Sequence, residues 1–192
     1  MSGSINRFKS NMEILLDIIS EMFQEGSDNN IIDDNNSVFN IIKVLILSCS
    51  CEKMVNNFIK KTHEHWDKLK SKDIEYFKEM GLGFFNIVQD KGLDQFKGGE
   101  GSHFLDKLKG SHIESFKKLL ESSYKDGDEE VEIFDEERKE DIWNILHSFV
   151  RISIVYIHEK RGWKEGKYTN EFFPEIKVKS NVEKWGIKSI RY

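Results

Sequence analysis

The chain has 192 residues, a formal net charge of −5, 33% charged side chains and 12% aromatic ones. That length suits one domain with a real core, and the aromatic content excludes an intrinsically disordered chain. Residues 162–192 hold seven basic and four acidic groups, so the excess of acid lies in the preceding body, which argues against nucleic-acid binding there.

There is no alanine and one proline, Pro174, against 24 lysines and 22 isoleucines. Helix contacts must then be made by Ile, Leu and Phe, at the wide end of the usual ~8–10 Å spacing. Cys49 and Cys51 are too close in sequence for an ordinary structural disulfide and too few for a zinc site. Met1 to Asn11 is polar and lacks signal-peptide character, so an intracellular, cytoplasmic setting is expected, where the Asn35-Asn36-Ser37 sequon is a chance match.

Ile5, Phe8, Met12, Leu15, Leu16, Ile19, Met22 and Phe23 recur at helical spacing and predict an amphipathic helix ending near Gly26. The polar stretch from Ser27 to Ser37 reads as a loop with Ile31 and Ile32 tucked against the body, and it lacks the glycine and distal glutamate of a calcium loop. Val38 to Leu47 is apolar at eight of ten positions; with no partner strand evident, it reads as a buried helix.

Met54, Val55, Phe58, Ile59, Trp66 and Leu69 continue as a third helix after a joint at Ser48 to Cys51. His63 and His65 on that helix point about 200° apart and cannot share a metal, while His63 with Asp67 would need two more ligands from elsewhere. Ser71 is placed to cap a short helix with Ile74, Phe77 and Met80, and Gly81, Gly83, Gly92 and the Gly98-Gly99-Glu100-Gly101 run read as turns and a connector.

Phe104, Leu105, Leu108, Ile113, Phe116, Leu119 and Leu120 form another amphipathic stretch, divided at Gly110 by a Ser111/Glu114 capping box. Asp126 to Asp141, with ten acidic residues, reads as a solvated loop.

Ile142 to Ile157 is apolar almost all round a helical wheel. Ile142, Leu146, Phe149 and Tyr156 fall on one face, and Trp143, Val150, Ile154 and Ile157 on a second, which predicts a central helix. Asp135 caps it, Glu136 and Glu137 suit its positive end, and Gly162 stops it. The helix from about 136 to 161 is ~39 Å long at 1.5 Å per residue. A membrane span would need about 20 uninterrupted apolar residues, and Asn144, His147, Arg151 and Ser153 intervene. Arg151, the lone charge in the run, reads as reaching solvent along its stem.

After Gly162 lysines alternate with large apolar groups, and Ile176-Lys177-Val178-Lys179 has strand-like alternation. The expected architecture is all-α: an irregular helical bundle over 1–161, built round the helix at 136–161, followed by an aromatic, basic, mostly irregular tail over 162–192. The tail either wraps back over the bundle or docks on another chain.

The stretch Leu69-Lys70-Ser71-Lys72-Asp73-Ile74-Glu75-Tyr76-Phe77 follows an amphipathic helix pair, and Asp141-Ile142-Trp143-Asn144-Ile145-Leu146 opens a long late helix. This order of features resembles a loose group of small helical proteins, mostly of unassigned role, from nucleocytoplasmic large DNA viruses. The resemblance implies a virion or infected-cell factor and supplies no catalytic residues; the aromatic tail departs from it.

The function expected on these grounds is a non-enzymatic scaffold working through protein–protein contacts or self-association, with Trp163, Tyr168, Phe172, Phe173, Trp185 and Tyr192 as partner-binding anchors. The alternative is a small anionic-ligand pocket near His147 and Arg151, one turn apart on the central helix. No cofactor, no metal and no membrane span is expected.

Overall fold

The apolar run forms the middle of a long helix in the computed structural model, which describes residues 2–33, 36–85, 114–161, 163–164, 167–168 and 176–188. The elements are α1 (Ser2–Asp28), α2 (Asn36–Ser48), α3 (Cys51–Thr62), α4 (Trp66–Lys70), α5 (Ile74–Phe85), α6 (114–119), the strands β1 (Ser123–Asp126) and β2 (Glu129–Glu132), α7 (Glu136–Arg161), the two-residue strands β3 (Trp163–Lys164) and β4 (Lys167–Tyr168), and α8 (Val178–Lys184). The protein is all-α in character, with helices packed on helices and short antiparallel hairpins.

α7 starts and stops where its sequence signals lie. The Asp135 carboxylate accepts from the Arg138 N–H at 2.8 Å, satisfying one of the free amides of the first turn. Both predicted apolar faces are buried, and the exposed residues Glu137, Glu140, Asp141, Asn144 and Arg151 form one narrow strip. α1, α3, α4 and α8 pack around the rest. Among the described residues no helix is long and apolar enough to cross a membrane.

Phenylalanines hold the helices together. Phe8 of α1 stacks on Phe149 of α7 with centroids 4.2 Å apart, and Phe58 of α3 meets both edge-on at 5.7 and 5.4 Å. Phe23 of α1 stacks on Phe39 of α2 at 5.0 Å. Around Phe77 of α5 gather Phe116 of α6, Phe134 of the turn before α7, and Trp143 of α7, at 6.1, 6.0 and 5.5 Å. Each such pair contributes about 0.5–1.5 kcal/mol beyond the area it buries.

The sequence expectations need correction at several joints. α1 does not end at Gly26 but runs through it, because Gly26 is a contact residue: a Cβ there would overlap the Leu119 Cδ2 methyl and lie 3.3 Å from Ile32 Cγ1. The helix closes instead on Asn30, whose φ of +55° lets Ile31 N–H return to Gly26 C=O at 2.8 Å and Asn30 N–H to Ser27 C=O at 3.0 Å. The same reciprocal pair of bonds closes α4 at Lys72 (φ +56°) and α8 at Gly186 (φ +59°). Lysine is an uncommon choice for this left-handed position.

The third helix is broken. α3 ends at Thr62, His63–His65 forms a 3₁₀ turn, and α4 resumes at Trp66. Buried Thr62 organises the break, donating to Phe58 C=O at 2.7 Å and accepting the Trp66 indole N–H at 3.1 Å. Asp73, and not Ser71, caps α5 by accepting from Tyr76 N–H at 3.0 Å, while the Ser71 hydroxyl turns back to Lys68 C=O. α5 then continues through Gly81 and Gly83, where the sequence leads one to expect turns. The Gly92 and Gly98–Gly101 turns and the Ser111 capping box lie outside the described residues.

Two further differences concern the second half. The acidic stretch expected to be a loop opens with the β1–β2 hairpin. The 176–179 segment, expected to be a strand, leads into α8, because Val178, Val182 and Trp185 recur at the helical spacing and all three are buried. With Ile176 they belong to the same core as α1 and α7, so this part of the tail wraps back over the bundle.

In the absence of alanine, Gly26 and Ser153 fill the tightest positions. Ser153 on α7 is fully buried, and its hydroxyl has no hydrogen-bond partner among the described residues. Ser153→Ala removes an unsatisfied hydroxyl and improves helix propensity, so it is expected to raise the unfolding free energy by about 1 kcal/mol. Gly26→Ala, although also a propensity gain, drives a methyl into Leu119 and is expected to lower it by about 1–2 kcal/mol. Urea denaturation of the two variants checks both signs.

Candidate functional site

The residues singled out by sequence are mostly engaged in holding the fold. His147 Nε2 lies 2.9 Å from Leu69 C=O, and its ring meets Trp185 edge-on at 5.5 Å, joining α7 to α4 and α8. Arg151 stands on the exposed strip. His147 is half-buried and Arg151 exposed. Trp185 is 3% exposed and belongs to the core, so it is not offered to a partner. Trp163 and Tyr168 are backbone register partners in β3–β4; Phe172, Phe173 and Tyr192 lie outside the described residues.

The His63, His65 and Asp67 cluster is likewise divided. His63 Nδ1 is 3.0 Å from Ile59 C=O, His65 lies against the Tyr76 ring at 4.9 Å, and Asp67 pairs with Lys184 of α8. Among the described residues no three His, Cys, Asp or Glu side chains converge where a metal ion could sit. Cys49 and Cys51 form no disulfide, and each is half-buried at the joint between α2 and α3.

Tyr76, 7% exposed, has a phenol shifted by its surroundings. Burial, with Glu79 adding to it, pushes its phenol from 10.0 up to about 12. The raised value means that the native protein holds this proton more tightly than the unfolded chain. Its contribution to stability is intact below pH 10 and is lost as pH rises toward 12. Tyr76→Phe is expected to flatten the fall of melting temperature across that alkaline window, compared with the parent in parallel thermal scans.

A concave feature lies beside the hairpin. Its turn is built on Gly127, which takes φ +63° at the first of two turn positions, as a type II′ connection requires. Tyr124 on β1 anchors one face, its hydroxyl bonded to Glu25 of α1, an interaction that pushes its pKa up. Glu25 also pairs with Arg138 of α7 at 2.6 Å, and Arg138 donates to Ile133 C=O at 2.6 Å. The hairpin is thus fixed to both α1 and α7.

The opposite face, with Ser123, Glu130 and Glu132, borders an open cavity of about 440 Å³. Its other walls are Leu120 and Glu121 after α6, and Phe134 and Lys139 at the start of α7. Lys139 lies over the Phe134 ring, 5.6 Å from its centroid, and meets Glu136 at 2.8 Å and Glu132 at 3.3 Å. The bond to Glu136, with Glu132, pushes its pKa up. Glu121 is held below the usual carboxylate range by its 2.6 Å bond to Lys78, and Glu130 accepts from Ser123 Oγ at 2.6 Å. The result is a groove with an apolar floor and carboxylates along its rim.

The sequence reading missed this groove because charge density obscured the hairpin signal. Gly127-Asp128, with the flanking Tyr124 and Val131 pairing across it, is a two-residue hairpin pattern. The walls from α6 and α7 could not be placed from local sequence. No protein-family model, curated protein or solved structure matches the chain.

Proposed function

We propose that the protein is a non-enzymatic scaffold acting through protein–protein contacts. The observation that carries this reading is the two-stranded sheet β1–β2, anchored to the bundle by Tyr124 and Arg138 and presenting its other face to an open groove. Such a face offers a partner polypeptide both backbone groups and side chains. Of the tail anchors Trp185 is consumed in the core, and the hairpin supplies the contact surface in this proposal. The resemblance to small helical viral proteins extends the proposal to a virion or infected-cell setting.

Hydrogen exchange of the full chain tests it, in the presence of the macromolecular fraction of a source-cell extract and, separately, of its small-molecule filtrate. Protection by the macromolecular fraction alone is the expected outcome. Protection by the filtrate would favour a small ligand, and unchanged exchange with both would count against a contact role.

A further inference from the structure

The occupant of the hairpin groove can be named by its chemistry. We propose that the outer edge of β2 takes an extended, basic segment of a separate partner protein as a third strand, with lysine or arginine side chains seated among Glu121, Glu130 and Glu132. This inference rests on the contact reading above and specifies what the contact recognises.

The backbone supplies the first argument. Ile133 N–H reaches inward to Ser122 C=O, and Tyr124 pairs with Val131, so the alternation of an antiparallel ladder turns the N–H and C=O of Glu130 and Glu132 outward. No described residue hydrogen-bonds to that edge, and β2 is exposed at Glu129, Glu130 and Glu132. The residues with free backbone groups are thus the ones whose carboxylates border the groove.

Charge supplies the second. From Ser123 to Glu132 there are five carboxylates and one lysine, Lys125, which lies across from Glu130, and two of the five, Glu130 and Glu132, border the groove together with Glu121. The carboxylates do not converge on a metal-ion position, but are spread along a rim, as several cations on an extended chain require. Lys139 already demonstrates the mode within the chain, its stem on Phe134 and its ammonium on Glu132 and Glu136. A second copy's tail is the poorer occupant, because 176–188 is packed on its own bundle, with Lys184 committed to Asp67.

The test is a titration of the full chain with a fluorescein-labelled peptide of alternating lysine and valine, beside its glutamate and valine counterpart. Only the lysine peptide is expected to bind, about 10-fold more weakly when salt rises from about 50 to about 300 mM. Amide shifts should centre on Glu130 and Glu132.

Joint Glu121→Gln, Glu130→Gln and Glu132→Gln replacement, with the fold verified by circular dichroism, is expected to weaken binding by about 10-fold or more. Lys139→Met removes one competing internal cation, the partner of Glu132, and is expected to tighten it by about 3-fold. Equal binding of both peptides, indifference to the glutamine replacements, or shifts away from β2 would overturn the proposal. So would a salt-sensitive rise in the mass of the chain alone by light scattering, which would assign the edge to a second copy. Protection by the macromolecular fraction without binding of the lysine peptide would leave the contact role standing and remove the basic occupant.

Discussion

Phe8, Phe58 and Phe149 come from three helices and meet at a single point, with none more than 2% exposed. The cluster fixes the rotation of α1 and α3 about α7, because turning any of the three helices by one residue, about 100°, would take its ring out of contact. From that junction the remaining elements follow. α1 carries Phe23 onward to α2, and α7 carries Trp143 back to α5. A chain without alanine must separate its helices with large side chains, and aromatic rings convert that necessity into directional contacts.

The parts of this fold readable in the sequence are those dictated by period and by termini. The two faces of α7, its Asp135 cap and its end at Arg161 follow from residues local to the helix. So does the buried face of α1. What could not be read depends on groups distant in sequence. Gly26 looks like a helix stop until Leu119 is seen against it, and α3 looks continuous until Thr62 is found holding Phe58 and Trp66 across the break. The candidate groove is harder still, since its walls come from α6, the hairpin and α7, and only the Gly127 turn had a local signature.

Charge is distributed by the same architecture. The α7 strip is acidic at the hairpin end and carries Arg151 farther along, while Lys184 and Lys70 tie α8 to α4. Basic groups of the tail are therefore partly used to seal the bundle. Lys78 and Lys139, which meet Glu121 and Glu132 on the rim beside β2, are each also shared with a second carboxylate, Glu75 and Glu136, so they neutralise it only in part. Ion pairs of this exposed kind add little to stability, about 0–1 kcal/mol each, so their arrangement acts on encounter with other molecules more than on folding.

The docking of Trp185 on His147 has a consequence for synthesis. The two residues are 38 positions apart, and the ribosome adds about 5–20 residues per second, so α7 emerges roughly 2–8 s before the side chain that covers this part of it. During that interval the bundle can form around Phe8, Phe58 and Phe149 while one apolar stripe of its central helix stays bare. Any ribosomal pause between α7 and α8 lengthens that exposure.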